Sequence, residues 1–181
     1  MTKPIESKWC VVACLLLSAP MADCKENRFS RSAEAATRSP GTVDSIVILK
    51  KDRELMAMRN DSVLARYSIA LGKTPEGAKR CEGDNKTPEG RYRVVLKKEH
   101  SQFHKALQIS YPDSEDRAAS KALRCDPGSS IMIHGLKNGM GWLGSFQSAV
   151  DWTKGCIALK DDDMDVLFEQ SKVGTNVIIR P

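Results

Sequence analysis

The sequence predicts a mostly β domain with short helices, built as a β-sandwich or a partly closed sheet. Three observations carry that expectation. Short runs of alternating and β-branched apolar residues follow one another between Ser45 and Leu71, with only turn residues between them. A further run of that kind, Val177-Ile178-Ile179, stands at the far end of the chain. The stretch from Val43 to Pro181, about 140 residues, fits one domain with one core, and so small a domain hides its strand faces only by curling a sheet or stacking two layers.

Upstream of that domain, positions 1–22 read as an export signal. Lys3 and Lys8 outweigh Glu6, and Trp9 to Ala19 is nearly free of polar side chains. The apolar segment, about 10 residues long, is shorter than the ~17 to 25 residues of a bilayer-spanning helix, and a small-residue stretch follows it. Cleavage is expected near Ala22, at a site made imperfect by Pro20. An uncleaved signal would act as a membrane tether. Lipid attachment at Cys24 is opposed by Asp23, which stands where such processing wants a small residue. Positions 23–42, rich in Arg, Ser, Ala and Glu, read as a flexible leader.

The 181 residues carry a formal net charge of +5, and losing Lys3, Lys8 and Glu6 with the signal would leave +4. A mild positive balance suits attraction to an anionic wall polymer or membrane surface. Nucleic acid is excluded as a partner class, because basic residues are interleaved with acids and no finger, helix-turn-helix or RNP-type signature is present.

Within the domain, Ser45 to Leu49 reads as a strand, Lys50 to Arg53 as a turn, Glu54 to Arg59 as the returning strand and Val63 to Leu71 as a third. The three form an antiparallel meander that Gly72 stops. Gly72 to Gly90 is a loop in which K-T-P-E-G occurs at Lys73 to Gly77 and again at Lys86 to Gly90, too short a duplication for a repeat fold. Arg91 to Leu96 is the next strand. His100 and His104 follow at an i, i+4 spacing that lacks the glutamate of an H-E-x-x-H metal motif. Ala106 to Ser110 reads as a strand, and Ser114 to Leu123 as a short amphipathic helix with Ser114 as cap and the Cys125-Asp126-Pro127-Gly128 turn as stop.

The chemistry-bearing stretch runs from Ile131 to Leu159. Ile131 to Ile133 is a strand that presents His134 at its end. Leu136 to Gly144, with Gly139, Gly141 and Gly144, reads as a loop that either folds over a cleft or anchors to the core, with Met140 and Trp142 as its apolar wall. Ser145 to Asp151 reads as a short helix capped by Ser145, which delivers Trp152 and Thr153. Ile157 to Leu159 returns to a strand. Asp161 caps a helix from Asp162 to Gln170 that buries Met164, Leu167 and Phe168, and Val177 to Ile179 is expected to close the sheet.

A cysteine and a histidine suffice for nucleophilic acyl transfer. An imidazole beside a thiol takes its proton and later protonates the leaving group. Cys156 and His134 fit those roles. No Asp, Asn or Glu stands ready to orient the imidazole, whereas Gly135 offers a backbone carbonyl. Gly155 permits a tight turn before the thiol, and backbone N–H groups around Cys156 suit an oxyanion hole. On spacing alone, the pair equally suits a buried structural cysteine and a satisfied core histidine.

The segments Lys86-Thr87-Pro88-Glu89-Gly90-Arg91-Tyr92, Ile133-His134-Gly135 and Thr153-Lys154-Gly155-Cys156-Ile157 resemble, in order and spacing, the catalytic domain of the L,D-transpeptidases, the YkuD family. The D-W-T-x-G-C-I-A form is similar to the ErfK/YafK-like branch of Gram-negative bacteria. The resemblance covers Ser45 to Pro181. It implies that Cys156 attacks a peptide bond of the peptidoglycan stem, that His134 is its base, and that the Gly135 carbonyl orients the ring. It also implies substrate contacts around Trp152, Thr153, Lys154 and Gly155, with Arg91, Tyr92 and Trp142 as cleft-wall candidates; for Arg91 and Tyr92, turn chemistry and sheet packing compete. Lys154 departs from the pattern, standing where relatives carry a second histidine. A lysine there supplies fixed charge but is a poor base near neutral pH.

The resemblance implies a cysteine-dependent transpeptidase that passes a stem peptide through a thioester to an amine acceptor. A carboxypeptidase or endopeptidase that hydrolyses wall peptides or wall-lipoprotein links is the alternative, and a noncatalytic wall-binding protein is the third. No cofactor or metal is expected. Partners would be peptidoglycan stem peptides and an outer-membrane lipoprotein, the location the periplasm, and the state a monomer. With Cys156 claimed by the chemistry, Cys81 and Cys125 make the most economical disulfide, tying the loops before two motif blocks.

Overall fold

The computed structural model describes residues 43–181, so the expected signal and leader lie outside the described residues. The expected meander forms from β1 (Ser45–Leu49), β2 (Glu54–Arg59) and β3 (Ser62–Ser68), paired antiparallel in order. Alternation decides which side is core: Ile46, Ile48, Leu55 and Ala57 are fully buried. Asn60 and Asp61, both at positive φ, make the two-residue turn that joins β2 to β3 in the twist of the flanking strands.

The remaining strands are β4 (Gly90–Ser101), β5 (His104–Ile109), β6 (Met132–His134), β7 (Ile157–Ala158) and β8 (Asn176–Arg180). The sheet order is β3-β2-β1-β8-β4-β5-β6-β7. The C-terminal strand therefore does not close the sheet, as the sequence implied; it lies in the middle, parallel to β1 and antiparallel to β4. Val177 and Ile179 face the core and are among the least exposed residues, while Asn176 and Arg180 of the same strand are exposed. β4 serves both halves, pairing with β8 through Gly90–Arg93 and with β5 from Val94 onward, across a register shift between Val94 and Leu96. Closure comes from elsewhere. Ala70, just past β3, exchanges two 2.9 Å backbone hydrogen bonds with Ala158 of β7, so the two ends of the strand order meet in a curled, partly closed sheet.

Two α-helices pack on this sheet. Helix α1 (Ser114–Ala122) is capped by Asp113, one residue before the expected Ser114, because the Asp113 carboxylate accepts from the Glu115 and Asp116 N–H groups at 2.9 Å and Asp116 reciprocates in a capping box. Helix α2 (Asp161–Gln170) buries Met164, Leu167 and Phe168 as the spacing predicted. Asp161 is its first residue rather than its cap, since its carboxylate serves the loop after β6 instead. The expected loop and helix between Leu136 and Asp151 are one 3₁₀ stretch, Gly141–Ala149, broken at Gly144 (φ 49°, ψ −127°) with no side-chain cap from Ser145. Among the described residues no helix is long and apolar enough to cross a membrane.

Candidate active site

Strands β6 and β7 run parallel, with Ile133 beside Ile157 and His134 beside Ala158. That register brings Cys156, one residue before β7, next to Met132 on the face that His134 shares. Both side chains line one cleft of about 640 Å³, together with Phe103, Ala106, Trp152 and Lys154.

His134 is 4 % exposed, and its Nδ1 donates to the Gly135 carbonyl at 2.6 Å. That bond leaves Nε2 as the basic nitrogen. The Gly135 backbone is itself held: a Cβ there would meet Asp161 Oδ1 at 2.6 Å and the His104 Cβ at 2.8 Å, and Asp161 Oδ1 accepts from the Leu136 N–H at 2.7 Å. Phe103 and Trp152 flank the ring at centroid distances of 4.7 and 5.9 Å. Burial pushes the His134 pKa below its ordinary value, and the Gly135 carbonyl opposes that shift.

Cys156 is half-buried and is the free cysteine of the described residues, its Sγ 3.9 Å from the Ser130 carbonyl. Burial raises its pKa, against the Met132 backbone and the Lys79 charge, which lower it. Burial thus acts on both groups in the same sense, toward the neutral thiol and the neutral imidazole.

The turn that carries Cys156 is tied at three points. Thr153, 4 % exposed, donates through its hydroxyl to the Cys156 carbonyl at 2.7 Å and accepts from the Gly155 N–H at 3.0 Å. Gly155 has φ 125°, and a Cβ there would stand 2.6 Å from the Lys86 carbonyl oxygen of the second K-T-P-E-G block. Upstream, Asp151 accepts from Arg53 Nε at 3.0 Å, from a second guanidinium nitrogen at 2.8 Å and from the Leu71 N–H at 2.9 Å, locking the approach to Trp152 onto the meander. The sequence reading missed Asp151, taking it as the end of a helix.

The structure therefore brings together His134, Gly135, Trp152, Thr153, Lys154, Gly155 and Cys156. It does not bring three other candidates there. Tyr92 is 3 % exposed in the core, its hydroxyl donating to Asp116 at 3.0 Å; Arg91 lies on the outward side of β4; and Trp142, 79 % exposed, stands outside the cleft lining. The alternation of buried Tyr92 and Val94 with exposed Arg91 and Arg93 was the available signal for the first two. Lys98, His100 and Phe103, from the β4–β5 hairpin, line the cleft and were not anticipated as site residues. His100 and His104 belong to opposite arms of that hairpin, and the His104 ring pairs with Asp165 at 2.7 Å. Among the described residues no cluster of three or more His, Cys, Asp or Glu is arranged to hold a metal ion. Cys81 is disulfide-bonded to Cys125, joining the loop after Gly72 to the end of α1.

Comparison with known proteins bears on the family and the fold. The family model of the YkuD L,D-transpeptidase catalytic domain matches residues 44–179. YqjB of Bacillus subtilis (strain 168), a protein assigned to the L,D-transpeptidases, is 30 % identical over 137 residues, covering 74 % of this chain and 69 % of its own. Among solved structures, the helical cell shape determining protein Pgp2 of Campylobacter jejuni matches with TM-score 0.55 at 22 % identity, over 82 % of this chain and 52 % of Pgp2. Bd1075 of Bdellovibrio bacteriovorus matches with TM-score 0.53 at 21 % identity, over 78 % and 48 %. An L,D-transpeptidase of Mycobacterium smegmatis matches with TM-score 0.52 at 15 % identity, over 77 % and 59 %. The chain thus spans about half the length of these solved structures, and at such identities they speak to the fold.

Proposed function

The chain belongs to the YkuD family of L,D-transpeptidase catalytic domains, and from that premise we propose that it is a cysteine acyltransferase acting on peptidoglycan stem peptides after export to the periplasm. The observation that carries the reading is the free thiol of Cys156 in one cleft with a histidine whose Nδ1 is fixed on the Gly135 carbonyl.

In the first half-reaction the Cys156 sulfur bonds to the carbonyl carbon at the L-centre of a diamino acid, while its proton passes to His134 Nε2. The C–N bond to the terminal D-alanine then breaks, and His134 returns the proton to the departing amine, leaving a thioester. The Gly155 N–H is committed to Thr153, so we assign the Cys156 N–H to the oxyanion. In the second half-reaction an acceptor amine attacks the thioester, His134 removes its proton, and the thiol is restored. An amine of a second stem peptide or of an outer-membrane lipoprotein would give a crosslink.

The test is incubation of the mature protein and its Cys156→Ala variant with a purified disaccharide tetrapeptide and a D-amino acid, followed by mass spectrometry. Exchange of the terminal residue or formation of dimers, absent from the variant, supports acyl transfer to amines. Shortened monomers alone would move the assignment to hydrolysis. No thioester and no product would overturn it.

A further inference from the structure

The cleft has a charge asymmetry that the catalytic pair does not use. Its ionisable lining outside that pair is Lys98, His100 and Lys154, and no carboxylate lines it. Four lysines near the site are engaged: Lys97 donates to the Phe168 and Ser171 carbonyls, Lys105 pairs with Asp165 and Glu169, Lys79 with Asp84, and Lys160 with Asp163. Among the described residues, the Lys98 ammonium has no hydrogen-bond or ion-pair partner, although the residue is half-buried. A cation in a cleft wall with no partner of its own is available to an anion that enters the cleft.

The register gives Lys98 an address. Lys98 pairs across to Ala106, Ala106 pairs to His134, and His134 stands beside Ala158, a single row across four strands with its side chains on one face. Two strand spacings separate Lys98 from His134, about 10 Å between backbones. The residue between them is alanine, whose short side chain leaves the cleft open between Lys98 and His134, and all three line it. Strand alternation sends the neighbouring Lys97 the other way, over the Phe168 ring of α2.

We propose that Lys98 is a specificity-determining residue that binds a free carboxylate of the donor stem peptide, with His100 and Lys154 adding to the positive field. This rests on the acyl-transfer reading above, which seats the scissile carbonyl at Cys156. A donor seated this way carries two carboxylates on the residues flanking the scissile bond: that of the departing D-alanine, three bonds beyond the scissile carbon, and that at the end of the diamino acid side chain.

Four donors separate the sources: the tetrapeptide, its D-alaninamide, its side-chain amide and the double amide. Lys98→Met should raise KM for the free tetrapeptide about tenfold, as expected for one charge-assisted hydrogen bond at a half-exposed site, with kcat within a factor of two. Lys98→Arg should restore most of the loss. The amide on which Lys98→Met has no effect identifies the carboxylate held. Equal KM in wild type and variant, or the same loss on the double amide as on the free acid, overturns the proposal. Calorimetry of the donors with Cys156→Ala, alone and with Lys98→Met, gives a readout independent of turnover. Carboxylate-dependent weakening there supports the lysine contact even if wild type forms no thioester and the acyl-transfer reading falls; no binding of any donor overturns both.

Discussion

Replacing Gly155 with alanine tests whether the Cys156 turn is built on the second K-T-P-E-G block. Two costs add. Alanine at φ 125° occupies a region that L side chains rarely adopt, worth about 1–3 kcal/mol. Its Cβ would also lie 2.6 Å from the Lys86 carbonyl oxygen, and that carbonyl is backbone, in a segment whose next residue, Thr87, accepts from the Gly72 N–H at 3.1 Å. Relieving the contact means moving either that segment or the turn itself, for a further ~1–3 kcal/mol typical of overpacking. The total, about 2–6 kcal/mol, is survivable for a domain with typical stability of ~5–15 kcal/mol. Gly83 supplies the control: its φ is 82° and nothing lies within 4 Å of a Cβ there, so Gly83→Ala carries the backbone cost alone. Urea denaturation of both variants, disulfide intact, should place Gly155→Ala at least ~1 kcal/mol below Gly83→Ala. Donor turnover should fall about 100-fold for Gly155→Ala, as a displacement near 1 Å at the nucleophile predicts, and stay near wild type for Gly83→Ala. Equal stabilities with full activity in both would refute the claim that the two loops are braced against each other.

Asp151→Ala strands the Arg53 guanidinium and the Leu71 N–H; discounted for the partial exposure of Arg53, the loss should be about 2–3 kcal/mol, read by urea denaturation, with a fall in kcat because Trp152 and Thr153 lose their anchor. Reduction of the Cys81–Cys125 bridge, which spans 44 residues, should cost about 4 kcal/mol by chain entropy, measured as a Tm drop with reductant in a Cys156→Ser background; an unchanged Tm would show that the loops are held without it. Stability should also depend on pH at both ends. The His134 pKa is depressed, so the unfolded chain binds more protons below ~6.5 and stability falls as pH drops through that value; the Cys156 pKa is raised, so the unfolded chain loses its proton first and stability falls as pH rises above ~8.5. His134→Gln should flatten the acid limb and Cys156→Ser the alkaline one, in denaturation midpoints taken across the pH range.

Much of the fold was legible because the meander strands are short apolar runs between turn residues: Leu55 and Ala57 alternate with half-exposed Met56 and Met58 in β2 and face Ile48 and Ile46 across the turn. What was not legible is adjacency. Nothing within Asn176–Arg180 says that it inserts between β1 and β4, because a strand with one buried face shows the same alternation wherever it is placed in a sheet. Cap positions failed for a similar reason. Asp113 and Ser114 are both good cap residues, and the choice was made by Asp116, which closes a capping box with the first. Asp161 has the right chemistry for a cap but is used by Leu136, a contact between segments that a local reading does not see.

The site shows where that limit bites. His134-Gly135 and Thr153 to Cys156 are two short blocks that the sequence shows and the family resemblance pairs, and the structure places them on the neighbouring strands β6 and β7 and the turn before β7. The walls come from a hairpin some thirty positions upstream of the histidine, by roughly counting back to Lys98 and Phe103, and they reach the cleft only because β5 pairs with β6. Arg91 and Tyr92 were drawn in by their place in a motif block, yet that block acts on the nucleophile from beneath: its Lys86 carbonyl abuts Gly155, and its Thr87 hydroxyl accepts from Gly72, where an added Cβ would stand 2.1 Å from the Asn85 carbonyl oxygen. The glycines at 72 and 155 and the block at Lys86–Gly90 are thus one packing unit, three separate stretches whose backbones touch. A motif block in a sequence can therefore mark a support for the reacting groups as readily as a contact with substrate. The discriminating signal is strand parity, which here buries Tyr92 and turns Arg91 outward before any substrate is considered.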